Sequence, residues 1–292
     1  MIKLRKIGQE LHFSPIDKIT LGYIITTLLF IIFSSGQLER AWLHILIRFI
    51  LIGFIGWLAW FTPKIRRDFW LFLRSTYPLL LFGFFYAETD YLNNILFNNL
   101  DPFFERIELW LFGVHPSVIF SSTFPQVWFS ELMNLGYFSY YFLVLLLPLW
   151  LWVKNRKAFS HVIFIITLSF YLFYWIFIIV PVAGPQFYFA ESLRTIPNSG
   201  IFRSMVRLAE WMGEGPTAAF PSSHVGIVLI MSLLAFRYAK ELFWLYIILG
   251  LLICFSTVYI KAHYAIDVIG GLVFAPFLFD ISNRVYLRFF EK

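Results

Sequence analysis

Long apolar runs broken by short polar clusters set the pattern of this chain. Eight runs stand out: Ile16–Phe33, Ala41–Phe61, Phe69–Tyr86, Val127–Trp152, Val162–Val180, Val225–Tyr238, Leu242–Tyr259 and Val268–Phe279. A hydrocarbon core about 30 Å thick takes roughly 20 residues of helix. Backbone groups in lipid must find partners within their own segment, so runs of this density predict helices rather than strands. The expected architecture is all-α: a polytopic membrane bundle of about eight transmembrane helices, read as a single domain over residues 1–292. Residues 1–90 hold the N-terminal spans and 91–292 the core.

Two connections, Ala87–Gln126 and Pro181–Ser223, are too apolar for solvated loops and predict helices lying along the interface. In "LDPFFERIELWLFG", Asp101 is placed to cap a helix beginning at Pro102, with Glu105 near its start and Gly113 at its end. In "IFRSMVRLAEWMG", Ile201, Met205, Leu208 and Met212 share one helical face and Arg203, Arg207 and Glu210 the other.

Composition excludes a soluble protein: 60% of the 292 residues are hydrophobic and 14% charged, where soluble domains carry about 25% charged residues. The basic residues then predict orientation, because cytoplasmic loops carry the excess of Lys and Arg. Fifteen of the twenty-three fall on one side, from Lys3, Arg5 and Lys6 through Lys154 to Lys292, and six on the other: Arg40, Arg106, Arg194, Arg203, Arg207 and Lys261. Both termini are therefore expected in the cytoplasm, as an even number of spans requires. The net charge of +6 follows from this asymmetry beside anionic lipid and calls for no nucleic acid. The basic start followed by an apolar run has the look of a signal peptide, but its length reads as an uncleaved first span. The lone Cys254 excludes an intrachain disulfide.

Against this background "AAFPSSHVG", residues 218–226, is unusual. It places His224 at the non-cytoplasmic end of the sixth span, and the chain returns to that side at "STVYIKAHYAIDVIGG", residues 256–271. The 39 residues from His224 to His263 are what two spans of about 18 residues and a tight turn consume. Two histidines thus meet on one face. His263 and Asp267, four apart on a helix, come within reach of each other, so the carboxylate can hold the ring. Pro221, Ser222 and Ser223 at a helix N-terminus leave amides available to an anion. A nucleophile, its orienting carboxylate, a second acid–base group and an anion nest describe phosphoryl transfer at a membrane surface.

"PSSH" and "HYAID" resemble the second and third signatures of the type 2 phosphatidic acid phosphatase superfamily. There the second motif reads Pro-Ser-Gly-His, and the third reads Ser-Arg, five residues, His, three residues, Asp. Ser256, Thr257, His263 and Asp267 fall on the third spacing without a gap. The resemblance implies that His263 attacks phosphorus to form a phosphohistidine, Asp267 orients it and His224 protonates the departing alkoxide, on membrane lipid substrates and without metal or organic cofactor. Ser222, Ser223 and Lys261 are the candidate phosphate-binding residues.

Three cations of the family pattern are replaced. Thr257 stands for the third motif's Arg, and the first motif, Lys followed after six residues by Arg-Pro, overlays "FIIVPVAGP" with Phe177 for Lys and Gly184 for Arg, Pro185 being kept. A monoester carries nearly two charges and a diester one, so a cation-poor site suits a diester. With "FPSSHVG", "AHYAIDVIGG" and "LDPFFERIELWLFGVHPS", these departures resemble the inositol phosphorylceramide synthase branch, whose members move a phosphoinositol head group between lipids. Hydrolysis of a lipid phosphate stays open as the alternative. A rival of another class is a transporter using His44, Arg48 and Arg74 in a polar pathway, although Arg74, near a span end, reads as snorkelling. Tyr259 and Tyr264 read as interfacial anchors, and His12, His115 and His161, each flanking a span alone, receive no role.

Overall fold

Each of the eight apolar runs lies within a helix, save that Val180 falls one residue past the end of its own, as the demand for internal backbone pairing in lipid requires. The computed structural model describes residues 13–61, 68–190, 196–197, 200–213 and 215–290, and all regular structure among them is helical. In chain order the helices are α1 (Pro15–Phe33), α2 (Ala41–Phe61), α3 (Asp68–Leu92), α4 (Asp101–Phe112), α5 (Pro116–Thr123), α6 (Val127–Lys154), α7 (Arg156–Ile179), α8 (Pro185–Tyr188), α9 (Ile201–Gly213), α10 (Ser223–Tyr238), α11 (Lys240–Tyr259) and α12 (Ala265–Phe289). Six of these, α1, α2, α6, α7, α11 and α12, are long and apolar enough to cross a membrane. The chain is thus a multi-pass integral membrane protein. Helix α10 is apolar but shorter, and α3 carries Arg74, Glu88 and Asp90 along its length.

Helices α7 and α12 outrun their apolar windows because polar residues at their ends are tied down. Asn155 caps α7 by accepting the Ala158 amide at 3.1 Å, and α12 continues through Arg284, which pairs with Asp280 at 2.7 Å. His12, the basic residues within 1–12 and 62–67, Arg194, Lys292 and the Met212 side chain lie outside the described residues.

The chain divides within α3 into two compact units, residues 1–80 and 81–292. In the first, Ser14 and Asp17 form a reciprocal capping box at the start of α1. Asp17 also accepts from Arg74 at 2.7 Å, with side-chain exposures of 0% and 11%. Arg74 is therefore held by a buried carboxylate rather than snorkelling. Arg48, fully buried, donates to Thr27 at 3.2 Å.

The second unit is organised around α10. It forms an antiparallel hairpin with α11 and packs on α12, α7 and α6. Its crossing with α12 is made of glycines. A Cβ on Gly271 would meet the Ser222 carbonyl at 2.5 Å, and one on Gly226 would strike Phe173 and lie 3.3 Å from the Gly271 carbonyl. Small residues are what allow two membrane helices to approach this closely. The consequence is local: the N-termini of α10 and α12, which carry the two histidines, are brought side by side.

Helix α9 turns large apolar side chains outward, with Arg207 exposed beside them and Val206 buried beneath. Ile201, Leu208 and Trp211 are exposed, while Arg203 pairs with Glu210 at 2.9 Å with both side chains largely covered. Glu131 of α6 caps its start, accepting from the amides of Phe202 and Arg203 at 3.0 and 2.9 Å. An outward apolar face on such a helix fits a membrane surface.

Candidate active site

His224 stands in the first turn of α10 and His263 just before α12. Their rings meet as the 39-residue interval predicts: His224 Nδ1 lies 3.3 Å from His263 Nε2. His263 is 3% exposed, and its Nδ1 lies 2.7 Å from the Ala219 carbonyl and 3.6 Å from Asp267 Oδ2. A carbonyl only accepts, so Nδ1 carries the proton and Nε2 keeps its lone pair. His224 then donates through Nδ1 to that lone pair. The shorter contact to His263 Nδ1 is thus a backbone carbonyl, with the carboxylate behind it. Asp267 accepts the Tyr264 amide at 2.7 Å, and its carbonyl receives the Ser222 amide at 2.9 Å. That last bond links the two motifs directly.

The pocket over the rings is lined by Tyr86, Tyr137, Gln186, Thr217, Ser223, His224 and His263, with Ala183, Ala218 and Ala262 between them. The His224 ring packs against Tyr137 and Tyr140 of α6, with centroids 4.7 and 4.4 Å away, an arrangement that fixes its plane. Ser223 faces the pocket, whereas Ser222 is fully buried and caps α10 through the Val225 amide at 3.4 Å. First-turn amides of a helix lack internal partners, which suits this end to an anion.

Lys261 turns elsewhere. Its ammonium donates to the Ser117 carbonyl at 2.8 Å and to Ser121 Oγ at 2.6 Å, both on α5. Burial lowers its pKa to about 8. Lys261 itself adopts a left-handed backbone, φ 69°, and so staples the turn between α11 and α12 to α5. The positions that replace the family's cations are equally committed. Phe177 is fully buried, and the Thr257 carbonyl accepts the His263 amide at 3.1 Å. Gly184 has φ 92°, and a Cβ there would lie 3.0 Å from the Ala262 carbonyl and 3.1 Å from Ala219 Cβ. An Arg at Gly184 would be strained in backbone and crowded in space.

Two acidic residues of α4 shape the site from outside it. Asp101 is fully buried and accepts from the amides of Ala183 and Gly184 at 2.6 and 2.8 Å and from the Tyr264 hydroxyl at 2.9 Å. It does not cap α4 as expected. The cap position is Leu100, without a side-chain bond, while Gly113 ends the helix in a left-handed conformation as anticipated. Glu108, two turns along the same face, accepts the Ala265 amide at 2.7 Å. Together the two carboxylates hold both loops that flank His263. Tyr264 and Tyr259 are thereby not interfacial anchors: both are fully buried, and Tyr259 donates to the Phe124 carbonyl at 2.9 Å. His115 also has a place, lying 3.6 Å from Glu105 and 3.7 Å from Glu108. His161 joins three helices, α7, α10 and α12, through Tyr238 at 2.8 Å and Asn283 at 3.1 Å.

Burial pushes the Glu108 carboxyl from 4.5 up to about 7; the Ala265 amide opposes this, and Asp267 and Glu105 add to it. Between 4.5 and about 7 the folded chain keeps a proton that the unfolded chain releases. Stability therefore falls as pH rises across that interval. Glu108→Gln, which retains an acceptor for Ala265, is expected to flatten this slope in thermal unfolding followed in detergent. Parallel wild-type and variant curves would refute the assignment.

Among the described residues no group of three or more His, Cys, Asp or Glu is arranged to hold a metal ion. No curated protein matches the chain significantly. No solved structure does so either. A family model described as the PAP2 superfamily matches residues 103–279, a stretch that runs from α4 to within α12 and takes in both histidines and Asp267. That match covers more than half of the chain, which therefore belongs to the PAP2 superfamily.

Proposed function

We propose that this protein transfers a phosphodiester head group from one membrane lipid to the hydroxyl of another, as in the inositol phosphorylceramide synthase branch its motifs resemble. The observation that carries the reading is the character of the pocket: two facing imidazoles and, among the described lining residues, no Lys or Arg. A pocket without fixed cations favours the singly charged diester over the more highly charged monoester.

In this reading the donor's phosphorus enters between the rings. The His263 Nε2 lone pair attacks it, forming the N–P bond as the P–O bond to the diacylglycerol breaks. His224 enters this step as the imidazolium, gives one proton to the departing alkoxide oxygen and is left as the neutral ring. In the second half His224, now a base, takes the proton of the acceptor hydroxyl. The acceptor oxygen bonds to phosphorus, the N–P bond breaks and both rings return to their starting state.

The test uses purified protein in one detergent with labelled phosphatidylinositol, with and without a ceramide-like long-chain alcohol, and with phosphatidic acid in parallel. Phosphatidylinositol is expected to be consumed when the alcohol is present, and the label to appear on the alcohol. Rapid hydrolysis of phosphatidic acid with no label ever reaching an acceptor would overturn the transferase reading and leave a lipid phosphatase.

A further inference from the structure

The family match begins at residue 103, yet one wall of the pocket comes from before it. Tyr86, half-buried in the second part of α3, lines the pocket with Tyr137, Gln186, Thr217 and the two histidines. The end of this helix and the residue just after it, Asn93, also fix another lining residue. Thr89 Oγ1 is 3.1 Å from Thr217 Oγ1, and Asn93 Nδ2 donates to that oxygen at 3.0 Å. All three of these polar side chains are buried. Tyr86, Thr89 and Asn93 follow the spacing of one helical face. Two hydrogen bonds within two turns of Tyr86 thus hold α3 to the loop that carries Ala218 and Ala219.

We propose that Tyr86 is a specificity-determining residue that sets the size of the head group the pocket admits. The proposal rests on the phosphotransfer reading above. No Lys or Arg is among the described lining residues, so selection among singly charged diesters falls to shape and to neutral hydrogen bonds. A phenol ring on an anchored helix is a rigid wall for that purpose. Because the wall lies outside the matched region, selectivity and chemistry reside in separable parts of the chain.

The experiment compares kcat/KM for phosphatidylinositol and phosphatidylglycerol, which carry the same charge and differ in head-group bulk, in wild type, Tyr86→Ala and Tyr86→Trp. One methylene of difference between two substrates in a fitted apolar pocket is worth roughly 10–200-fold in discrimination. Tyr86→Ala is accordingly expected to shift the ratio at least about tenfold toward the larger head group, and Tyr86→Trp to shift it toward the smaller. The opposed directions separate selection from general damage, which lowers both substrates alike. If Tyr86→Ala fails to fold, the Trp variant decides alone. A ratio unchanged within about twofold in every folded variant of an active enzyme overturns the proposal while sparing the function. A wild-type protein that turns over neither lipid overturns the function, and this inference with it.

Discussion

Replacing His263 by Ala is expected to abolish turnover and the covalent phosphoenzyme together. The Nε2 lone pair of this ring is the nucleophile candidate: Nδ1 is occupied by its bond to the Ala219 carbonyl at 2.7 Å, and His224 approaches Nε2 at 3.3 Å. Removing the ring takes away the lone pair assigned to bond phosphorus, and the neighbouring His224 ring, 3.3 Å from where it stood, is the acid–base group of the same reading. Asp267→Asn is expected to be milder. Where a carboxylate alone sets the tautomer its loss costs about 10⁴ in rate; here the Ala219 carbonyl already sets it, so about 10²-fold is expected, from weaker support of the imidazolium. Single-turnover trapping of acid-labile, base-stable label on the protein reads both effects. Wild-type turnover in His263→Ala would sink the assignment.

Asp101→Ala should be the most damaging substitution outside the two histidines and Asp267. It strips the acceptor from two buried amides and one buried hydroxyl at once, and each unsatisfied buried group costs about 1–3 kcal/mol. The loss falls on the loops at 183–184 and 264, which flank His263. A lower thermal midpoint in detergent and a reduced kcat are both expected. Asp101→Asn, which keeps one carbonyl oxygen, should fall between Ala and wild type. An Asp101→Ala protein as stable and active as wild type would show that the clasp contributes nothing.

What the sequence made legible was whatever has a short period or a countable interval. Apolar runs announced the helices, the 39 residues from His224 to His263 announced a hairpin that returns to its own end, and a separation of four put Asp267 behind His263. The clasp was illegible for a physical reason. Asp101 bonds to amides 82 and 83 positions away and to a hydroxyl 163 away, and amides have no residue identity to read. An acidic residue beside a proline at a helix start reads as a cap whether or not it caps. Lys261 misled in the opposite way, since proximity to His263 in sequence suggested the substrate while its left-handed backbone sends the ammonium to α5. The contribution of α3 was hidden because Tyr86 closes an apolar run, while Thr89 and Asn93 fall in the stretch read as the connection that follows it.

The acceptor that holds His263 belongs to the main chain of Ala219, and a main-chain oxygen has no codon. A saturation scan at that position would sample only side chains, and a small one tolerated there would record as neutral although the oxygen beneath it orients the ring. Apparent tolerance at Ala219 would then measure the room around its methyl group and nothing else. Replacing the amide that follows it by an ester, with Phe220 exchanged for its hydroxy-acid analogue, is the substitution that reaches this oxygen, because an ester carbonyl is the weaker acceptor. The atom exchanged is the Phe220 nitrogen, and both side chains stay as they are.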